Sequence, residues 1–230
     1  LRPPPRLLRE TPMATTILRP VLLLLCACFL AGCESAYYGA MEQLGIPKRE
    51  ILVDRVEAAR DSQEEAKEQF ASALEQFASV VEYDGGDLEE VYTRLNREFE
   101  RSEDRAADVR DRIEAVESVS EALFDEWAEE IGQYSSDSLR RSSERQLRDT
   151  RRRYDGLVAS MWRAEGRIAP VLDAFRDQVL YLKHNLNARA IAALQSELTT
   201  IEDDVAVLLR EMEQAIAESD AFISEMRASA

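Results

Sequence analysis

Residues 52–80 read LVDRVEAARDSQEEAKEQFASALEQFASV, and this stretch decides the fold. Leu52, Val56, Ala59, Gln63, Ala66, Phe70, Ala73, Phe77 and Val80 succeed one another in alternating steps of four and three. A helix turns once in 3.6 residues, so this spacing stacks the side chains on one narrow face, the seam of a coiled coil. Leu74 and Val81 widen the stripe. Pro47 is suited to open the helix, because a first turn does not need its N–H. The predicted helix covers about 47–83. Tyr83-Asp84-Gly85-Gly86-Asp87 then breaks the pattern: the glycines supply a left-handed stop and Asp87 an N-cap for the next helix.

Three further seams run outward from this one. Over about 88–132 the spacing joins Leu88, Tyr92, Leu95, Phe99, Ser102, Ala106, Val109, Ile113, Val116, Ser120, Leu123 and Trp127. Gly132 and Ser135-Ser136-Asp137-Ser138 end that helix. A third begins near 138, with Leu147, Thr150, Tyr154, Leu157, Met161, Ala164, Ile168, Val171, Phe175, Gln178 and Leu182 on its seam. Pro170 lies inside it. The phase continues across the proline, which predicts a kink and not an end. The fourth carries Ile191, Leu194, Leu198, Ile201, Val205, Leu208, Met212, Ala215, Ser219, Phe222 and Met226. Its phase slips against the third within Lys183-His184-Asn185-Leu186-Asn187, which reads as a turn; a continuous helix with a stutter is the alternative. Helices of similar length joined by short loops predict an all-α, elongated antiparallel bundle or coiled coil of about four long helices. The Ser and Gln seam positions predict a thin core.

Composition agrees. Among 230 residues there are 8 Gly and 7 Pro, 32% of residues are charged, and the formal net charge is -16. The first 32 residues hold four Arg and one Glu, so the chain from Cys33 onward has 25 basic and 44 acidic residues, a net charge of -19. That field repels phosphate backbones and anionic lipids, so nucleic acid is not an expected partner unless a local patch overrides it.

Residues 21–30, Val-Leu-Leu-Leu-Leu-Cys-Ala-Cys-Phe-Leu, are too few to span a bilayer, which takes about 20. They suit the apolar core of a signal peptide, with Arg19 as its positive flank. Leu30-Ala31-Gly32-Cys33 comes next and resembles a lipobox: small residues enter the peptidase cleft and the Cys33 thiol accepts the lipid. No Cys lies downstream of Cys33. The expected organisation is an upstream extension over 1–12, a lipoprotein signal peptide over 13–32 starting at Met13, a lipidated tether over 33–47 and a helical coiled-coil domain over 48–230. Glu34, where an Asp would favour retention on the inner membrane, points to the periplasmic face of the outer membrane.

Several stretches resemble one family. They are Ser35-Ala36-Tyr37-Tyr38, Lys48 through Val56, Asp84-Gly85-Gly86-Asp87-Leu88, Leu139-Arg140-Arg141, Leu147 through Tyr154, and Val179 through Ala188. Together they are similar to the bacterial lipoprotein family labelled domain of unknown function 2959. The resemblance covers nearly all of the chain after Cys33. It implies a helical lipoprotein and brings no activity or catalytic residue with it.

Two surfaces stand out as candidate sites. Arg140, Arg141, Arg145, Arg148, Arg151, Arg152 and Arg153 form a basic block in an acidic chain. One reading pairs them with local acids, Glu144 with Arg148 and Asp149 with Arg153 at four-residue spacing, and with Glu129 and Glu130 of the preceding helix. The other uses topology: in an up-down-up-down bundle this block returns to the anchored end and meets anionic headgroups. The same topology puts Asp84, Gly85, Gly86, His184, Asn185 and Asn187 at the far tip, a candidate partner-binding site, or else plain turn residues. Asp203-Asp204, Glu64-Glu65 and Glu89-Glu90 are adjacent carboxylates, which do not face one another on a helix, so they read as solvated. Trp127 reads as core and Trp162 as flanking it.

No nucleophile with its base, metal-ligand set or Gly-Lys phosphate loop occurs in the sequence, so no enzyme activity, cofactor or metal is expected. The expected partners are the membrane, through the N-terminal lipid, and an envelope protein. A homo-oligomer stays open. A scaffold, spacer or adaptor is the first reading. A holdase-like periplasmic chaperone, binding unfolded envelope proteins between splayed helices, is the second.

Overall fold

The computed structural model describes residues 38–41, 45–81, 88–185 and 188–228. Backbone contacts divide the chain into two units, Leu1–Ile46 and Pro47–Ala230. In the first, residues 38–41 form a single helical turn. The Ile46 N–H donates to the Met41 carbonyl at 3.0 Å, and Gly45 adopts a φ of 82°, open to glycine without strain. The leader, Cys33 and the start of the tether lie outside the described residues.

Among its described residues the second unit has helices and short turns and no strand: α1 (Lys48–Val81), α2 (Leu88–Ile131), α3 (Asp137–Glu165), α4 (Ile168–His184) and α5 (Ala188–Ala228). Pro47 opens α1 as its chemistry predicts, its carbonyl accepting from the Glu50 N–H at 2.9 Å. Glu89 and Glu90 occupy the first turn of α2, where carboxylates favour the helix dipole. Ser136 caps α3, its hydroxyl accepting from the Leu139 N–H at 3.4 Å.

The helices run up, down, up and down, with α3 and α4 forming one limb. Cross-helix polar pairs establish this, because partner numbers run in opposite directions. Between α1 and α2 they are Lys48 with Glu126 at 3.1 Å and Gln69 with Glu98 at 2.9 Å. Between α1 and α5 they are Arg60 with Asp220 at 2.9 Å and Arg227 with Glu57 at 2.8 Å. Arg110 of α2 meets Glu165 of α3 at 2.9 Å, and Arg176 of α4 meets Glu103 of α2 at 3.2 Å. Arg153 and Arg163 of α3 meet Glu225 and Glu211 of α5. Exposed pairs of this kind contribute little each, but they report the register. The turn between α4 and α5 is therefore a reversal, which excludes the stutter.

α1 packs along α2 and α5 and lies diagonally opposite α3 and α4. The core is filled across that diagonal. The rings of Phe77 and Phe175 stack at 4.4 Å between centroids and 8° between planes, with Phe70 at 6.4 Å from Phe175. All nine seam residues of α1 are buried. The other seams hold for most of their length. On α2, Leu88, Tyr92, Ala106 and Trp127 are half-buried, whereas Val91, Glu98, Val119 and Phe124, outside the predicted seam, are buried. Glu98 is satisfied there, accepting from Gln69 of α1 at 2.9 Å and from Arg101 at 2.9 Å.

The limb of α3 and α4 differs from expectation in one detail. Its interruption falls at Gly166-Arg167, before Pro170, and Pro170 is the third residue of α4. Both interrupting residues keep right-handed helical backbone angles, so Met161, Ala164, Ile168, Val171 and Phe175 stay buried on one continuous face. The proline sits in a first turn, where no N–H is required of it.

Candidate functional site

Four helix ends meet at one end of the bundle: the start of α1, the end of α2, the start of α3 and the end of α5. The core thins there. Leu147, Thr150 and Tyr154 are half-buried, as is Trp127, whose Nε1 donates to the Ser143 hydroxyl at 2.8 Å; Trp162, farther along α3, is also half-buried. A cleft of about 420 Å³ opens between Trp127, Leu123 and Met226, rimmed by Arg49, Arg153, Glu126 and Glu225. Its charges answer one another. Arg49 donates to the Met226 carbonyl at 2.6 Å, capping the end of α5. Lys48 holds Glu126 at 3.1 Å, and Arg153 holds Glu225.

The arginine block lies on α3 at this same end, and all seven side chains are exposed. The expected partners are rearranged. Arg153 crosses to Glu225 and leaves Asp149, which pairs with Arg152 at 3.6 Å. Glu144 and Arg148 do not pair. Arg140 turns to Asp137, and the Arg151 guanidinium sits 5.1 Å from the centre of the Phe124 ring. Arg141, Arg145 and Arg148 have no ion pair or hydrogen bond among the described residues. The block thus divides into side chains that serve the fold and side chains that do not, which spacing alone could not show. Beneath it Tyr154 meets Phe124 edge-on at 5.3 Å. Burial raises the Tyr154 pKa above its ordinary 10.0, and the neighbouring Ser120 hydroxyl works in the opposite sense.

At the other end, His184 closes α4 and is exposed. The Asn185 N–H donates to the Leu182 carbonyl at 3.1 Å and its side-chain amide to the Tyr181 carbonyl at 3.0 Å. Leu180 and Tyr181 are exposed large apolar residues beside them. Asp84, Gly85, Gly86 and Asn187 lie outside the described residues, so the tip is only partly drawn. The adjacent carboxylates behave as spacing predicts: Glu64 pairs with Lys67 at 2.9 Å and Glu65 with Arg105, while Asp203 and Asp204 are exposed. Among the described residues no group of three or more metal-ligating side chains converges, and no helix is long and apolar enough to cross a membrane.

Residues 37–226 match the family described as "Protein of unknown function (DUF2959)". The chain belongs to that family. The match spans the whole bundle from α1 to the last turns of α5, including both candidate surfaces. No curated protein and no solved structure matches the chain.

Proposed function

We propose that this DUF2959 member is an envelope lipoprotein, anchored through Cys33 to the periplasmic face of the outer membrane, whose bundle acts as a non-enzymatic scaffold, spacer or adaptor. The observation that carries the reading is Leu30-Ala31-Gly32-Cys33 behind a ten-residue apolar run. Thirteen residues separate Cys33 from Pro47, a tether of at most roughly 50 Å when fully extended. That reach keeps the Pro47 end within about 50 Å of the proposed anchor, and His184 lies at the opposite end of the bundle, open to a partner. A long bundle of rigid limbs suits a part that sets a distance. The charged rim of the cleft weighs against the holdase alternative, which needs apolar surface between its helices.

The test is acylation of the full-length chain. Metabolic labelling with a palmitate analogue should mark the wild-type chain, and Cys33→Ala should lose the label and accumulate as precursor. A Cys33→Ala chain that keeps the label overturns the anchor. Photo-crosslinking from position 184 should then give one discrete adduct for an adaptor. A spread of adducts with unfolded outer-membrane proteins would favour the holdase.

A further inference from the structure

We propose that the outward face of α3, with the α2–α3 corner, is a second membrane contact that docks on anionic phospholipid headgroups. This rests on the lipoprotein reading, because it needs a bilayer within reach of the Pro47 end. Arg141, Arg145, Arg148 and Arg152 stand at i, i+4, i+7 and i+11. At about 100° per residue they fall within roughly 60° of one another. They lie on the side of α3 opposite Leu157 and Met161, which are buried. All four are exposed; three have no partner among the described residues, and the fourth has only the exposed Asp149. The core does not use this stripe, and the acidic chain around it does not neutralise it.

A second observation points to a bilayer. Tyr134 and Leu139 are 42% and 58% exposed at the corner that begins α3, at the end of the arginine row, with Leu139 on the other side of the helix from Arg141. Exposed apolar side chains at a corner that ends a row of arginines suit the headgroup boundary, where guanidinium groups meet phosphates and the corner's apolar groups reach the acyl edge. The net negative charge of the chain does not prevent this. Most of the carboxylates lie along limbs about 60 Å long, beyond the Debye length of about 8 Å, so the nearby stripe dominates. Asp137, Glu144, Asp149 and Asp155 lie on or beside this face, Asp137 paired with Arg140 and Asp149 with Arg152, and the seven arginines of the block outnumber these four acids.

Residues 47–230, which contain their own core, can be sedimented with vesicles of phosphatidylglycerol and phosphatidylethanolamine, or of phosphatidylcholine alone. Binding is expected on the anionic vesicles only, and lost above about 0.5 M salt. Each basic residue at such a surface contributes roughly fivefold. Arg141→Gln, Arg145→Gln, Arg148→Gln and Arg152→Gln together should therefore weaken binding about a hundredfold or more. Tyr134→Ser with Leu139→Ser should also weaken it, and Arg94→Gln with Arg97→Gln, at the opposite end, should not. Helical circular dichroism confirms that each variant is folded. Absence of binding to anionic vesicles, binding unchanged in the fourfold variant, or equal loss in the far-end variant overturns the proposal. Its failure is separable from failure of the anchor, since labelling at Cys33 does not involve these arginines.

Discussion

Gln63 occupies a seam position on α1 and is fully buried, yet neither atom of its amide has a partner among the described residues; Ser62 and Ser160 hydroxyls are buried in the same condition. An unsatisfied buried amide costs about 1–3 kcal/mol relative to an apolar side chain of similar shape. Gln63→Met should raise the melting temperature by a few degrees, given about 2–4 °C per kcal/mol for a domain of this size. A lower melting temperature would mean that Gln63 contributes to packing in a way its geometry does not reveal. Tyr154 makes the complementary case. Its folded pKa is raised mainly by burial, so the fold favours the protonated phenol. That contribution is complete below the ordinary value of 10.0 and is lost as pH rises through the raised folded value. Melting temperature should therefore fall more steeply between about pH 10 and 12 in the wild type than in Tyr154→Phe. Parallel curves would exclude the effect. Gln63 was visible in the sequence as a seam residue, but its unpaired amide was not, because hydrogen-bond partners come from other helices.

Among the elements, α3 shows most clearly where sequence spacing stops. The break at Gly166-Arg167 precedes the proline that signals it, since a proline acts on the turn before it and is itself comfortable in a first turn. Gly156, mid-helix and exposed, has nothing within 4 Å of where a Cβ would stand. Gly156→Ala should stabilise the bundle by about 0.5–1 kcal/mol, read as a shift in the urea midpoint at constant slope. A loss of stability would show that close approach there matters after all. The seams of α1 and α5 were largely legible, while that of α2 shifted toward Val91 and Glu98. A strict seven-residue repeat drifts by about 20° per heptad against a straight helix. A helix held between two neighbours also buries a stripe wider than a two-helix seam. Seven arginines were legible as a block; which of them the fold uses was not. Arg153 reaches Glu225 across more than seventy positions of sequence, and Arg151 covers a ring on α2.

For the molecule as a whole, the buried residues of α1 to α5 belong to one compact unit, Pro47–Ala230. A chain beginning at Pro47 should therefore melt in one cooperative helical transition, within about 2 °C of the chain beginning at Cys33. A large drop would assign residues 33–46 a part in stability. The amino-acid sequence by itself determined the helical class, the count of long limbs and the turn positions to within a few residues. Each of these rests on local chemistry: periodicity, glycine and proline. The tertiary structure alone decided that α1 lies diagonal to α4 with Phe77 stacked on Phe175, that the interruption comes before Pro170, and which arginines remain unpaired on the outward face of α3. These depend on which helix stands beside which, and residues far apart in the chain set that only once their side chains compete for the same buried space.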